Sequence, residues 1–357
     1  MTPDPPDDHV DHGSDKDAAA PAPGRGRSRP LYDPQFPDPT AGMVLHRVLA
    51  MSARTFLLND LGDEFDDGPY RTGPAHALTL AMGTRPLWAQ SAAESLRGTG
   101  RRADRTERIH QTRVSMRRVR SNLRTYRLLL DSGWGTALRA ELAWYGNELG
   151  RSRDLDLLTA VIAERGAEVL DADEVARLLA VVAWKRVAVE REIAAEQAGP
   201  RRFLLTEQMM TLWDGPEFKV KASKPAVDVL PPMLHRAWRD LQAAGRRARK
   251  DPTDVHLHQL RIRLKELRYG ADTLALVEGG RARKTAKAAE RLQSKLGDHH
   301  DIVFSIGWLE ALAAEQPDLA DAAERLASAQ RDLAAETRKG WRRELKDVDR
   351  RWRRWQG

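Results

Sequence analysis

The chain has 357 residues and a net charge of +7 at pH 7, from 59 Lys and Arg against 52 Asp and Glu. Residues 1–38 hold eight aspartates against four basic residues, so the rest of the chain carries +11. This excess points to a polyanionic partner such as nucleic acid, an anionic membrane surface or a phosphate polymer. The sequence contains no cysteine, which excludes disulfides, a thiolate nucleophile and cysteine-based zinc sites.

Residues 1–38 are predicted to be disordered, because they are rich in Pro, Asp, Gly and Ala and show no hydrophobic period. They have neither the basic region nor the apolar region of a secretory signal. Apolar runs elsewhere in the sequence are far too short to span a bilayer. We therefore expect a soluble, cytoplasmic protein without a membrane partner.

From Ala41 onward, apolar residues recur at spacings of three and four, and no convincing period-two alternation is seen. This pattern predicts an all-α fold with few or no strands. Helices are expected over 41–60, 80–98, 104–131, 137–149, 152–168, 172–198, 228–249, 253–277, 281–297, 299–314 and 317–350.

Two interruptions divide this helical pattern. The sequence SGWG at 132–135 predicts a tight turn. Five prolines between Gly199 and Pro232 predict a linker between two helical halves. We expect a single domain over 39–355, and its parts are a first half (39–199), a linker (200–226) and a second half (227–355).

The two halves repeat each other in sequence. IHQTRVSMRRVRSNLRTY (109–126) aligns with LHQLRIRLKELRYGADTL (257–274), and ELGRSRDL (148–155) aligns with KLGDHHDI (295–302). The two offsets, 148 and 147 residues, differ by a single position. We infer an internal duplication of one helical unit, with the copies related by a pseudo-two-fold axis.

Each copy of the longer motif places a row of cations on one helix face, because these residues recur at spacings of three and four. The first row is His110, Arg113, Arg117, Arg120 and Arg124, and the second is His258, Arg261, Lys265 and Arg268. A solvated surface helix mixes charge signs, whereas residues 101–127 hold ten arginines against two acidic residues. Like charges one turn apart repel by roughly a few tenths of a kcal/mol per pair. We therefore predict that a bound anion relieves the repulsion in a positive cleft between the two helices.

These motifs resemble those of the CHAD family, named for conserved histidines in an α-helical domain. The two longer motifs resemble its H-Q-x-R-V-x-x-R-R-x-R and H-x-L-R-I-R-x-K-x-L-R-Y patterns, and the shorter pair resembles its L-G-x-x-x-D segments. The resemblance covers roughly residues 41–355. It implies two helical bundles of four-helix type around a basic central pore or groove, inorganic polyphosphate as the ligand, and neither catalysis nor a cofactor. The implied phosphate-contacting residues are His110, Arg113, Arg117, Arg120, Arg124, His258, Arg261, Arg263, Lys265 and Arg268.

Two positions depart from the family pattern. Glu266 stands where a second basic residue is common, and Arg118 is its counterpart in the first copy. Asp272 stands opposite Arg124, although an acidic residue is usual there in the second copy. Because of Glu266, we do not expect the two halves to bind the ligand equally. Recruitment to polyphosphate granules is a further implication of the resemblance.

Nucleic acid is the alternative ligand, because its sequence-independent binding uses the same electrostatics. Single-strand binders add aromatic stacking platforms, and few aromatics accompany the basic rows. The third function considered is a metal-dependent phosphohydrolase centred on DHHD (298–301), since carboxylate and imidazole are common metal ligands. No further ligand cluster accompanies this run, so we predict no metal site and no enzyme.

The duplication provides an internal control for this run. Both copies share Leu-Gly-x-x-x-Asp, whereas Ser152 and Arg153 stand where the second copy has His299 and His300. We therefore interpret each segment as a helix end, with a glycine at the turn and an aspartate that caps the next helix or pairs with a nearby cation. One of the two histidines is a candidate to reach the basic cleft.

Overall fold

A computed structural model describes residues 39–61 and 105–356. The tail predicted to be disordered and the helix predicted over 80–98 lie outside these ranges. Within them the chain is all-α, as predicted, and only two isolated bridges, Thr40 with Pro225 and Leu130 with Phe218, have β geometry. No helix in the described part of the chain is long and apolar enough to cross a membrane.

Helices account for most of the described residues. In chain order they are α1 (Ala41–Leu61), α2 (Arg105–Thr125), α3 (Ser132–Val161), α4 (Ala172–Gln197), α5 (Pro200–Asp214), α6 (Ala226–Lys250), α7 (Asp254–Glu278), α8 (Gly280–Glu315), α9 (Ala320–Thr337) and α10 (Trp341–Gln356). The helices predicted over 41–60, 172–198, 228–249 and 253–277 are confirmed to within two residues at each end. The helix predicted over 104–131 ends early, at Thr125.

Capping side chains set where two of these helices begin. The Asp131 carboxylate accepts two backbone N–H bonds of 2.9 Å and starts α3 at Ser132. The prediction of a tight turn at 132–135 is therefore wrong, because this segment is the first turn of α3. Asp171 and Glu174 form a reciprocal capping box at the start of α4. Such bonds satisfy N–H donors that have no partner inside the helix.

The prediction that each Leu-Gly-x-x-x-Asp segment ends a helix is also wrong. Gly150 lies inside α3 and Gly297 inside α8, so the helix pairs predicted over 137–168 and 281–314 are each one continuous helix at this point. An interior glycine costs a helix only about 1 kcal/mol relative to alanine. Burial of the neighbouring Leu149 and Leu296 offsets this cost by holding the helix against the core.

Two further predictions are corrected by the helix bounds. The proline-rich segment predicted as a linker contains α5, and Pro200 stands in the first turn of that helix, where its missing N–H costs nothing. The helix predicted over 317–350 is interrupted at Gly340, whose φ of 85° ends the run between α9 and α10. That left-handed conformation is one that glycine adopts at little cost.

One hydrophobic core spans both halves of the chain. It includes Leu45 of α1 and Leu123 of α2 together with Leu264 of α7 and Leu292 of α8. In a second apolar cluster, the C-terminal ends of α3 and α8 pack against α4 and α9. Because the main core is shared, the halves hold each other in a fixed arrangement.

The helices α2 and α7, which carry the two longer motifs, pack against each other. The Tyr126 hydroxyl, just after α2, donates a buried hydrogen bond of 2.7 Å to the Gly270 carbonyl on α7. The Thr273 hydroxyl donates a second buried bond of 2.7 Å to the Asn122 side-chain oxygen. These bonds fix the register of α2 against α7.

Candidate anion-binding site

The predicted phosphate-contacting residues lie on α2 and α7, and we call them together the α2–α7 basic face. Four of them are buried, namely Arg113, Arg261, Lys265 and Arg268. Six are partly buried, namely His110, Arg117, Arg120, Arg124, His258 and Arg263. Removing a cation from water costs several kcal/mol unless an anion compensates it. The face is therefore not a solvated helix surface, and its charges need anionic partners.

Glu266 supplies one such partner from within the protein. Its buried carboxylate forms an ion pair with Arg124 Nη1 of α2 at 2.9 Å, and it accepts a hydrogen bond of 2.9 Å from Arg263 Nη1, one turn away on α7. The acidic residue that departs from the family pattern thus links the two helices. It also occupies two guanidinium groups that were predicted to contact phosphate.

Arg268 has partners on α8. Its Nη2 lies 2.6 Å from Glu290 Oε1, and its Nη1 donates to Gln293 Oε1 at 3.3 Å. The Arg268 and Arg118 guanidinium carbons lie 5.2 and 5.8 Å from the Tyr269 ring centroid. At such distances the ring attracts both cations, so the Tyr269 ring already interacts with two arginines of the protein.

The aspartates shared by the two Leu-Gly-x-x-x-Asp segments also lie beside the basic face. Asp154 of α3 and Asp301 of α8 are both buried. Burial, together with the nearby Asp301 carboxylate, raises the pKa of Asp154 to about 7 against the opposing effect of Arg113 and Arg153. Each half therefore contributes a buried carboxylate to the same region. For Asp154, the nearby Arg113 and Arg153 agree with the predicted pairing to a cation and not with helix capping.

Asp272 lies among cations of the same region. Desolvation raises its pKa to about 6, against the lowering effect of Arg268 and Arg118. The sequence alignment had placed this residue opposite Arg124. Glu266 and Asp272 both lie on α7. The positive charge of the basic face is therefore reduced more on α7 than on α2.

Arg261 is a buried cation of the second row whose guanidinium is incompletely hydrogen-bonded. Its side chain is 1% exposed, yet Nε and Nη1 have no hydrogen-bond partner among the residues that the structure describes. A buried guanidinium normally has each donor satisfied. Arg261 therefore has two buried, unsatisfied donor nitrogens in the middle of the second cation row.

The two adjacent histidines of DHHD have different surroundings. The His300 ring lies 4.7 Å from the ring of His258, centroid to centroid, and so reaches the basic face. His299 is buried with Nε2 at 2.9 Å from Asp254 Oδ1 and Nδ1 at 3.1 Å from Thr337 Oγ1. In the described ranges, no three His, Asp or Glu side chains are grouped as metal ligands. Within the DHHD run, His299 therefore has a structural role, and His300 lies at the basic face.

Sequence reasoning missed several members of this site. Asp154 and Asp301 were assigned to a junction, and Glu290 was not singled out. The shared aspartate of the two short motifs was a usable signal, because duplicated polar residues in buried helices need a partner. The contact of Glu290 with Arg268 depends on how α7 packs along α8, for which the sequence carries no local signal.

The raised pKa of Asp154 predicts a pH-dependent loss of stability. In the folded state the Asp154 carboxyl keeps its proton up to about pH 7, whereas in the unfolded chain it releases the proton at about pH 3.9. Unfolding releases a proton between these values, so stability falls as pH rises through that window. Urea unfolding at about pH 5 and about pH 8 should show that Asp154→Asn stabilises the protein more at the higher pH. An equal effect at both values would contradict the assignment.

Comparison with known proteins places this architecture in a family. Residues 89–310 match the model of the CHAD domain. Two Mycobacterium tuberculosis proteins, Uncharacterized protein MT2285 of strain CDC 1551 / Oshkosh and Uncharacterized protein Rv2226 of strain ATCC 25618 / H37Rv, are each 29% identical over 224 residues. These matches cover 57% of this chain and 40% of each relative, so the matched region is less than half the length of those proteins.

Two solved structures have a similar fold. PptA from Streptomyces chartreusis matches with a TM-score of 0.56 and 20% identity, over 88% of this chain and 99% of that chain. The crystal structure of the CHAD domain from the plant Ricinus communis matches with a TM-score of 0.60 and 20% identity, over 92% and 96% of the two chains. The family match covers more than half of the chain, and the all-α architecture agrees with it. The chain belongs to the CHAD domain family.

Proposed function

We propose that this protein binds inorganic polyphosphate on the α2–α7 basic face and catalyses no reaction on it. The observation that carries the proposal is Arg261, a buried guanidinium with two nitrogen atoms that lack acceptors among the described residues. A phosphate oxygen would satisfy such donors, and the fork of a guanidinium suits phosphate well. Arg113 and Lys265, buried on the same face, would add to the attraction.

Polyphosphate suits this face because the ligand is a uniform polyanion without base edges. Arginine, lysine and histidine can therefore provide nearly all of its recognition. His258 and His300, with rings 4.7 Å apart, would donate hydrogen bonds to an adjacent phosphate group. The internal duplication inferred from the sequence would place the two cation rows on either side of one chain, in the basic pore or groove that the family resemblance implies.

Nucleic acid fits the face less well. Single-strand binders stack bases on exposed aromatic rings. Tyr269 and Tyr126 are both buried, and the Tyr126 hydroxyl is bonded to the Gly270 carbonyl. Neither ring offers a stacking surface to a base, which favours a ligand recognised through phosphate alone.

The proposal of polyphosphate binding includes a location in the cytoplasm and at polyphosphate granules.

Calorimetric titration of the full chain with long-chain polyphosphate tests the proposal. Binding should weaken with salt by counterion release, with a slope of log K against log salt of about −0.7 for each phosphate contact. Arg117→Glu should weaken it at least about tenfold through loss of one charged contact. Arg191→Glu, an equal charge change at an exposed residue of α4, is the matched control.

Three results would contradict the proposal. The first is an absence of binding at low salt, and the second is an equal loss of affinity in both variants. The third concerns catalysis: incubation with polyphosphate and a divalent metal should release no orthophosphate, and steady release would show an enzyme.

A further inference from the structure

The outer surface of α10 carries a third row of cations. Arg343, Lys346, Arg350 and Arg353, which we call the outer row, are exposed and recur at spacings of three, four and three residues. They therefore share one helix face. At 1.5 Å per residue, the row extends for about 15 Å.

The acidic residues of α10 contact neighbouring helices and neutralise little of this row. Glu344 lies 3.7 Å from Lys295 Nζ on α8, and Asp349 lies 3.4 Å from Arg249 Nη2 on α6. Asp347 pairs with Arg291 of α8 at 2.8 Å and with Arg350 at 3.0 Å.

Three members of the outer row have no internal counter-ion. In the described ranges, Arg343, Lys346 and Arg353 form no ion pair with any carboxylate. Side chains of like charge one turn apart repel each other, so an external polyanion would relieve this row.

The tryptophans of α10 do not belong to its outer surface. Trp341 and Trp352 are buried, and Trp352 stacks on Trp238 of α6 at 4.7 Å between ring centroids. Trp355 is partly buried against the core, and its indole N–H donates to the Glu278 carboxylate of α7. The helix therefore presents cations outward without apolar side chains that could insert into a lipid surface or stack on bases. Its outward chemistry matches a phosphate polymer best.

The outer row begins at the end of the bundle where His258 and His300 lie. The start of α10 contacts Lys295 through Glu344, and Lys295 precedes His300 by five residues on α8. The same end holds the Arg338–Asp254 ion pair of 2.9 Å, which ties the connection before α10 to the first turn of α7. A chain leaving the α2–α7 basic face at His258 would meet the start of the outer row.

We propose that the outer row of α10 is a second polyphosphate site, which binds the part of a long chain that extends beyond the α2–α7 basic face. This inference rests on the proposed function. It assigns to α10 a preference for long chains over short ones, because a short oligophosphate bound at the basic face cannot also reach the outer row.

The test compares long-chain polyphosphate with tripolyphosphate on the full chain. The variant Arg343→Gln/Lys346→Gln/Arg353→Gln removes three charges that form no internal ion pair, so its folding should be unaffected. The control Lys219→Gln/Lys221→Gln/Lys224→Gln removes three exposed charges from the connection between α5 and α6. Both variants change the net charge equally.

We expect the α10 variant to bind long-chain polyphosphate at least about tenfold more weakly, with a salt slope smaller by about 2. Its affinity for tripolyphosphate should stay within about twofold of the wild type, and the control should match the wild type for both ligands. Equal behaviour of the α10 variant and the control would overturn the inference alone. A wild type that binds neither ligand would overturn the proposed function. An α10 variant that loses only binding to single-stranded DNA or to anionic vesicles would assign the outer row to that ligand instead.

Discussion

Arg261→Met is expected to stabilise the free protein and to weaken polyphosphate binding. The Arg261 guanidinium is buried with two nitrogen atoms unsatisfied, and replacing a poorly compensated buried charge by an apolar side chain of similar size gains about 1–3 kcal/mol. The same change removes charged hydrogen bonds to phosphate, which should lower affinity by about tenfold to a hundredfold. Thermal unfolding and calorimetric titration of one protein sample measure both effects.

Arg268→Met is the matched control for this experiment. Arg268 is also buried on α7, but it is satisfied by Glu290 and Gln293. Its removal should lower the free energy of unfolding by about 1–3 kcal/mol, because it leaves the partners of the guanidinium without a donor. Opposite signs of the two stability changes support the assignment of Arg261 to an external anion. A loss of stability in Arg261→Met as large as that in Arg268→Met would show that Arg261 is a structural cation.

Glu266→Gln is expected to destabilise the free protein and to strengthen polyphosphate binding. The Glu266 carboxylate holds Arg124 and Arg263 at 2.9 Å each, so its neutralisation should lower the free energy of unfolding by about 1–3 kcal/mol. It also raises the charge of the basic face by one unit and releases two guanidinium groups. Polyphosphate affinity at low salt should therefore increase, by about fivefold or more.

Glu310→Gln provides the comparison, because Glu310 pairs with Arg331 at 2.7 Å on the surface of α8 and α9. An exposed pair of this kind contributes about 0–1 kcal/mol, and the site lies next to the second apolar cluster, away from the basic face. This variant should change neither stability nor affinity by a large amount. If Glu266→Gln left polyphosphate affinity unchanged as well, Arg124 and Arg263 would not belong to the binding site.

Local patterns predicted the parts of this fold that are determined locally. The helices α6 and α7 were placed within two residues, because their apolar spacing and end signals agree with one another. The glycines at 150 and 297 misled the prediction, because burial of Leu149 and Leu296 keeps each helix continuous through a weak position. Local propensity gives way there to tertiary packing, which a single sequence does not display.

The site was predictable to the extent that it lies on single helices. The spacing of Arg113, Arg117 and Lys265 placed them on defined faces, and α2 does pack against α7. Carboxylates beside the cations of α2 come from other helices: Glu266 of α7 pairs with Arg124, and Asp154 of α3 lies near Arg113. Such contacts depend on the packing of whole helices. For that reason the sequence identified the cations better than the carboxylates that neutralise them.

We propose that buried cations on α2 and α7 select a phosphate polymer over nucleic acid. A competition titration of long-chain polyphosphate against single-stranded DNA of similar charge, repeated at several salt concentrations, tests it most directly. Polyphosphate should displace the DNA at every salt concentration, since both ligands share the counterion effect and only nucleic acid needs aromatic platforms. Equal competition, or displacement of polyphosphate by DNA at moderate salt, would contradict the account.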